Sequence, residues 1–525
     1  MCCIFFCKNG KENQVNNFKS IQHRGPDSSD FRIVDDYFLG FHRLAINGLN
    51  TNSNQPIENN NVHLICNGEI YNYKELATEY NITLNTDSDC EIIIHLYQKM
   101  GLKNTITILD GVFAFVLYDA NTKTYFIGRD PIGIRSLYFT KDDTNDLSVC
   151  SEMKGIHEYG KCTQFPPGHL YSSKTKLIER YYLHQYLPKL DNKDEIQYHI
   201  QKKLETAVQK RLMSERPIGC ILSGGLDSTL ITALVCRHYK PYTMNTYTIG
   251  LEGSVDLKYA KIASEYLKTN HHEFVIGEEQ FLDSIKETIK QVESYCTTTV
   301  RASVGNYLVS KYISQQNKDV VIFCGDVADE IFGSYRGLIN APDENGFYYE
   351  NLKLIEDIHY FDVLRSDKSI AGAGLEARVP FGDKDFVQYV MSISPSLKMF
   401  DDSKIEKLLL RESFQEMLPE ELLYRRKEAF SDGVSSMQRS WYEIIQEFTD
   451  KLYTNEEFEE KIKKYHHNTP YDKESLYYRE LFEKYYPYQE KTIPYFWKQP
   501  FSKNLDPSAR LLETYKENKE NIARI

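Results

Sequence analysis

Ser223-Gly224-Gly225-Leu226-Asp227-Ser228 joins an apolar run, 218–222, to a helix-like run, 229–237. A strand, a glycine turn and a helix start make a phosphate cradle. The two glycines let the backbone approach an anion closely, the serines donate hydroxyls, and the helix dipole favours negative charge at its first turn. No Gly-Lys-Ser/Thr closes the loop, so it is not a Walker A site. Asp227 stands where a lysine would grip terminal phosphates, and a carboxylate among phosphates calls for a divalent cation between them. The plainer reading is a helix N-terminus with an Asp/Ser cap. Six specified positions in a strand-to-helix context go beyond a cap.

Outward from this loop, strand-like and helix-like runs alternate: 218–222, 229–237, 245–250, 257–267, 272–276, 279–291 and 320–324. Such alternation predicts an α/β domain with a doubly wound parallel sheet and ligands beyond the carboxyl ends of its strands. Beyond Phe332 the pattern becomes mostly helical, rich in Tyr, Lys and Glu, and the chain after Arg510 reads as disordered. Residues 1–187 read differently. Short strands at 37–45, 62–66, 112–118, 124–128 and 148–151 are interrupted by helix-like runs at 73–80 and 90–99, which predicts an α+β layered antiparallel sandwich. Residues 188–198 read as a charged linker, giving two domains, 1–187 and 199–525.

A chain of 525 residues is long enough for separate cores. Its formal charge of −12 argues against nucleic acid or an anionic membrane surface as the main partner. The 11 cysteines are odd in number and form no Cys-x-x-Cys pair, which suits buried thiols in a reducing compartment. Apolar stretches such as 112–118 are too short to cross a bilayer, and Met1 to Cys7 is too short and uncharged for a signal peptide, so the cytoplasm is expected.

Cys2 follows a methionine that is normally removed before a small side chain. The new α-amine could then activate the thiol as a base, since their reference pKa values, about 7.7 to 8.0 and about 8.5, lie close together. Alone, a cysteine at this position is coincidence. Together with His23-Arg24-Gly25-Pro26-Asp27, Phe41-His42-Arg43-Leu44-Ala45-Ile46 and Asn67-Gly68-Glu69-Ile70-Tyr71-Asn72, it resembles the glutaminase domain of N-terminal-nucleophile amidotransferases. In that reading Cys2 is the nucleophile and glutamine lies along Arg43, Leu44, Ala45, Ile46, Asn47 and Asn67-Gly68-Glu69. Arg43 is a fork for its carboxylate, while Glu69 and Asp89 meet its ammonium. The Asn67 amide and the Gly68 N–H form an oxyanion hole, each donor worth roughly 3 to 4 kcal/mol in the transition state. Read blandly, Asn67-Gly68 is a hairpin turn and Arg43 a surface charge.

The Ser223 loop in turn resembles the pyrophosphate loop of ATP pyrophosphatases. Joined in this order, the two halves resemble the glutamine-hydrolysing asparagine synthetase family. Thr297-Thr-Thr-Val-Arg301-Ala-Ser303, Glu376-Ala-Arg378-Val-Pro380-Phe and Arg426-Lys427-Glu428-Ala-Phe430 add to the likeness. The resemblance implies ATP held by Ile221, Ser223, Gly224, Gly225, Asp227, Ser228, Ile249 and the Cys324-Gly325 backbone. It further implies Mg²⁺ on Asp227 and Asp329, Lys427 as a catalytic cation, Arg301 or Arg378 on aspartate, and a homodimer. Cys324-Gly325-Asp326-Val327-Ala328-Asp329-Glu330 departs from the family's Ser-Gly-Glu-Gly-Ser/Ala-Asp-Glu. Asp326 stands for a catalytic glutamate and reaches roughly 1.5 Å less. Val327 stands for a glycine, where a β-branched side chain is disfavoured if φ is positive. Gly382 also departs, standing where leucine usually follows Pro-Phe. These departures keep open an impaired synthetase that binds nucleotide or amino acids. A β-lactam-synthetase-like enzyme or an amidotransferase acting on another carboxylate also remains, although Cys2 speaks against the lactam-forming kind.

Overall fold

The computed structural model describes residues 1–143, 145–316, 319–401 and 403–512. The chain forms two compact units: Met1–Leu183 with Met213–Pro217 and Ile370–Ala377, and His184–Leu212 with Ile218–Ser369 and the chain from Arg378 onward.

The first unit carries two six-stranded sheets whose pairings are antiparallel. Strands β1 (Cys3–Lys8), β2 (Ser28–Val34), β3 (Tyr37–Arg43), β8 (Tyr138–Lys141), β9 (Leu147–Cys150) and β10 (Thr163–Gln164) run in the order β10-β8-β9-β1-β3-β2. The other sheet runs β12-β11-β7-β6-β5-β4, from β4 (Ile57–Asn59), β5 (Val62–Ile70), β6 (Gly111–Asp119), β7 (Thr124–Arg129), β11 (His169–Ser172) and β12 (Leu177–Arg180). Side chains alternate along a strand, so each inner strand contributes to two layers. Ile4, Phe6, Leu39, Phe41, Ile65, Ala114, Val116 and Ile127 fill the space between the sheets. Leu64, Cys66, Phe113, Phe115 and Leu117 face the other way, onto Ile92, Ile93 and Leu96 of the helix Ile92–Met100. Each buried Leu, Ile, Val or Phe among them contributes about 1.5–3 kcal/mol. The layered sandwich expected from the sequence is present.

In the second unit, β13 (Ile218–Ile221), β14 (Asn245–Leu251), β15 (Asn270–Ile276) and β16 (Val321–Phe323) form parallel pairs in the order β15-β14-β13-β16. The chain steps outward from β13 to β15 and then returns to β16 on β13's other side. The reversal opens a crevice at the carboxyl ends of β13 and β16, where ligands of such sheets bind. The Ser223 loop leaves one of these ends and Cys324-Gly325-Asp326 the other.

The expected linker is partly helical: the helix Lys193–Arg211 starts inside it, with the Asn192 side chain accepting from Glu195 N. Its charged residues are the solvated first turn of a helix, where Asp194 and Glu195 suit the dipole. The polar strand β2 gave no alternation to read, because it is an edge strand exposed over Ser29–Ile33. The disorder expected beyond Arg510 falls largely on residues 513–525, outside the described residues. Among the described residues, no helix is long and apolar enough to cross a membrane. All 11 cysteines are free thiols.

Candidate functional site

Strand parity gathers the first candidate site. Asn67 and Glu69 follow Ile65 at two-residue steps on β5 and share its inter-sheet face, and Cys2 packs against the same layer. Cys2 Sγ lies 3.5 Å from the Leu44 carbonyl, in the segment that follows β3. Burial pushes its thiol up to about 12, against the nearby N-terminal ammonium, and the Glu69 carboxylate is close enough to add to the rise. Asn67 is 1% exposed, and neither its amide nitrogen nor its oxygen has a partner. An unpartnered buried amide is costly unless a ligand completes it. Gly68 is required by packing, since a Cβ there would lie 2.3 Å from the Val112 carbonyl oxygen.

Asn47 Nδ2 donates to Glu69 Oε2 at 2.5 Å, and Asp89 Oδ2 accepts from the Ile70 N–H at 2.6 Å. Leu44, Ala45 and Ile46 are buried, with the Ala45 N–H donating to Asp27 at 2.8 Å. Arg43 corrects the sequence reading. Its Nη1 donates to the Asn50 carbonyl and Asn54 Oδ1 at 2.9 and 2.7 Å, and its Nη2 donates to the Asn47 and Gly48 carbonyls. Both ends of the expected fork therefore shape the loop 47–54 instead of standing open. Met1 is fully buried: its amine donates to the Leu375 carbonyl at 3.0 Å and its Sδ accepts from Arg135 at 2.7 Å. While Met1 is attached, the Cys2 nitrogen is an amide and cannot serve as a base.

The second candidate site is built on the Ser223 loop. Gly224 adopts φ +69°, and a Cβ there would lie 2.2 Å from the Tyr259 carbonyl carbon. Only glycine fits. The Ser223 and Ser228 hydroxyls are 3.0 Å apart, and the Gly225 N–H donates to Ser223 Oγ at 3.3 Å. Arg425, which the sequence reading missed, supports the loop from outside. It donates to the Ser223 carbonyl at 3.0 Å and to Asp256 at 2.7 Å, stacked 4.3 Å over the Tyr259 ring. Ile221 ends β13, Ile249 lies two residues before the end of β14, and both are buried.

From the end of β16, Cys324 is held by the Arg378 carbonyl, which accepts its N–H at 3.0 Å, and burial pushes its thiol up. A Cβ on Gly325 would lie 2.7 Å from Ser228 N and 2.9 Å from Asp227 Cβ, so the two strand ends meet closely. Val327 adopts φ +82° at the start of the helix Ala328–Phe332, the unfavourable conformation anticipated for it. Asp326 is gripped by Arg365 Nη2 at 2.8 Å and by the Ser366 hydroxyl. Arg365 also reaches Asp362 at 3.0 Å. Nearby, the Tyr335 hydroxyl lies between Glu330 and Asp362, and burial beside Asp362 pushes the Glu330 carboxyl well up.

Asp227 and Asp329 converge on one cation. Lys407 Nζ lies 2.5 Å from each carboxylate, and Lys427 Nζ lies 2.6 Å from Asp329 and 4.4 Å from the centre of the Tyr335 ring. Burial pushes the Asp227 carboxyl up despite Lys407. Asp329, although partly buried, is held far below the carboxylate range by Lys407 and Lys427. Asp227 Oδ1 has no hydrogen-bond partner. Among the described residues, no group of three or more His, Cys, Asp or Glu could hold a metal alone. Two carboxylates with a free oxygen nonetheless fit Mg²⁺, which is commonly held by one or two carboxylates together with substrate phosphates.

Both arginines expected on aspartate are engaged within the protein. Arg301 is buried in a double ion pair, donating to Glu474 at 2.8 and 2.6 Å and to Asp506 at 2.9 and 2.8 Å. Two carboxylates saturate its fork, which makes it a tie between distant segments and not a ligand for a third. Arg378 is 1% exposed and donates to the Arg211 carbonyl at 3.1 Å. The arginine that reaches the site is Arg365, and nothing in the helix Asp362–Ala371 distinguishes it locally from a solvated charge.

Residues 1–200 match the glutamine amidotransferase domain, and residues 199–355 and 347–511 match asparagine synthase. Curated asparagine synthetases (glutamine-hydrolysing) align with nearly the whole chain. That of Gallus gallus is 39% identical over 535 residues, covering 94% of this chain and 95% of its own. The Rattus norvegicus protein is 39% identical over 539 residues and the Homo sapiens protein 38% over 539, each with the same coverage, 94% and 95%. With both domains matched in sequence order and relatives aligned almost end to end, the chain belongs to the glutamine-hydrolysing asparagine synthetase family.

Proposed function

We propose that the protein makes asparagine from aspartate, using the amide nitrogen of glutamine and converting ATP to AMP and pyrophosphate. With Met1 removed, the Cys2 amine takes the thiol proton and the sulfur attacks the glutamine carboxamide. The Asn67 Nδ2 and the Gly68 N–H donate to the oxyanion, which accounts for the unpartnered amide nitrogen of Asn67. Glu69 and Asp89 hold the ammonium, Leu44 to Asn47 form the wall, and Arg43 offers the carboxylate its Nε alone. Ammonia leaves, and water releases glutamate from the thioester.

At the second site the Ser223 loop holds the phosphates of ATP, with the adenosine against Ile221, Ile249 and the Cys324-Gly325 backbone. The β-carboxylate of aspartate attacks the α-phosphorus, the bond to the β-phosphate oxygen breaks, and pyrophosphate departs. Ammonia then adds to the acyl carbon of β-aspartyl-AMP and AMP leaves. Mg²⁺ held by Asp227 and Asp329 would neutralise charge on the departing pyrophosphate. Lys427 adds a positive contact, Arg365, which meets Asp326 and Asp362 through Nε and Nη2 and can offer its Nη1 to the aspartate, takes the role that Arg301 cannot, and Asp326 acts beside it. Free thiols suit the cytoplasm, and a homodimer is the assembly that the resemblance implies.

The observation that carries this reading is the meeting of the two strand ends, with Gly325 seated on Asp227-Ser228 and Asp227 and Asp329 within reach of one cation. Purified protein with Mg-ATP, aspartate and either glutamine or ammonium should yield asparagine, AMP and pyrophosphate in equal amounts. Asparagine from neither nitrogen source would refute it. The strained Val327 and the short Asp326 favour a second reading, a binding protein impaired in synthesis. In the same assay that protein would bind nucleotide and release no pyrophosphate.

A further inference from the structure

Lys407 is an unusual residue to find between two carboxylates read as metal ligands. It is 4% exposed and adopts φ +55° at the start of the helix Leu408–Ser413, a left-handed conformation that a side-chain-bearing residue keeps only when its surroundings enforce it. Those surroundings are rigid. Arg411 donates to the Glu406 carbonyl at 2.8 Å, to Glu406 Oε1 at 2.7 Å and to the Arg425 carbonyl at 3.1 Å, fixing the turn on which Lys407 stands. The ammonium is thereby delivered to the point equidistant from Asp227 and Asp329, 2.5 Å from each.

We infer that Lys407 is a built-in stand-in for the divalent cation, which keeps metal out of the site until nucleotide brings it. The inference rests on the reading of Asp227 and Asp329 as the metal ligands and adds a positioning role that this reading does not contain.

Charge sets the order in which metal and nucleotide enter. Asp227 and Asp329 face Lys407 and Lys427, two carboxyl groups against two ammonium groups. A bare divalent cation entering this cluster would meet two ammonium groups at close range with no added negative charge, and in a partly buried site such repulsion is less screened than in open solvent. A metal carried on a polyphosphate brings its own compensating charge. Lys407 can then yield its carboxylates to the metal and turn its ammonium to a phosphate oxygen, leaving no charge unpaired. A lysine is suited to this exchange, being a compact charge on a flexible stem, whereas the planar fork of an arginine would hold both carboxylates in a fixed geometry. Metal and nucleotide would thus enter together, and free Mg²⁺ would not occupy the carboxylates in a way that misplaces the Ser223 loop.

The test is direct titration of Mn²⁺ into the full-length protein, followed by its electron paramagnetic resonance signal, with and without a non-hydrolysable ATP analogue. The wild-type protein is expected to bind Mn²⁺ at least a hundredfold more tightly with the analogue than without it. In Lys407→Met, nucleotide-free Mn²⁺ affinity should rise at least tenfold, and Mn²⁺ alone should raise the melting temperature of the variant but not of the wild type. A purely structural lysine would lower stability without creating metal affinity. Tight nucleotide-free Mn²⁺ binding by the wild-type protein would overturn the inference without any variant, so a Lys407→Met chain that fails to fold does not protect it. Unchanged metal-only affinity in a folded Lys407→Met would overturn it as well. Asp227→Asn and Asp329→Asn separate the two levels. If they abolish Mn²⁺–nucleotide binding while Lys407→Met changes nothing, the stand-in role fails alone; if they leave that binding intact, the assignment of the metal ligands fails with it.

Discussion

Gly325→Ala isolates the seat of the Ser223 loop. The added Cβ would lie 2.7 Å from Ser228 N, 2.8 Å from the Asp227 carbonyl carbon and 2.9 Å from Asp227 Cβ, so it meets mostly backbone, which cannot rotate away. Ordinary contact begins near ~3.5 Å, so the two strand ends must part by about 0.8 Å. The displaced atoms belong to the loop that positions the phosphates, and a shift of about 1 Å in such a group costs on the order of a hundredfold in rate. That is about 2.7 kcal/mol in the barrier. Gly325 does not occupy the positive-φ region, so alanine adds no backbone strain that could mimic the effect. The assay is pyrophosphate release from ATP and aspartate with ammonium as nitrogen source, run beside glutamine hydrolysis in the same preparation. Synthesis should fall by roughly a hundredfold, with glutaminase activity unchanged. A synthetase kcat/KM that stays near the wild-type value would show that the contact of the two strand ends does not set the position of the phosphates.

Asn67→Ala removes the buried amide read as an oxyanion donor, so glutamine-dependent synthesis should fall by about 10²–10³, and ammonia-dependent synthesis should persist; equal loss of both would contradict separate half-sites. Asp326→Glu lengthens a carboxylate already satisfied by Arg365 and Ser366, so synthesis should drop rather than recover, and a rate above wild type would mark Asp326 as a defect. Lys398, buried against the Ile331 carbonyl and Asn351, has its pKa lowered by burial to about 7 from 10.5. The unfolded chain therefore binds the extra proton between these values, and this group makes stability rise with pH across that window by up to about 1.4 kcal/mol per unit. Urea unfolding at several pH values should show Lys398→Met with a flatter profile from pH 7 upward, and parallel profiles would refute the assignment.

The parts of the molecule legible in the sequence are those whose cause is local. The Ser223 loop could be read because strand, glycines and helix start are contiguous, and the first domain's inner strands could be read because burial on both faces leaves apolar runs such as 112–118. Asn67 and Glu69 share one face of β5 through strand parity, which sequence also encodes. What could not be read is every partner supplied from afar: Lys407 lies 180 residues from Asp227, Arg425 lies 202 from Ser223, and Arg365 lies 39 from Asp326. A lysine or arginine in a helical stretch looks the same locally whether it faces water, a carboxylate or a substrate. Arg301 is a case in point, its partners Glu474 and Asp506 lying 173 and 205 residues away. The same blindness applied at Asp326, where the missing methylene looked like a lost function. The structure shows that Arg365 and Ser366 meet the shorter carboxylate, so the question at Asp326 shifts from reach to whether a carboxylate so firmly held can still act on the acyl-adenylate. Val327 is different in kind. Its positive φ costs roughly 1–2 kcal/mol that a glycine would not incur, yet its side chain is 1% exposed and packed, and burial of a valine returns about 1.5–3 kcal/mol. The two terms are comparable, so the strained turn at the synthetase site can be kept without a net loss of stability.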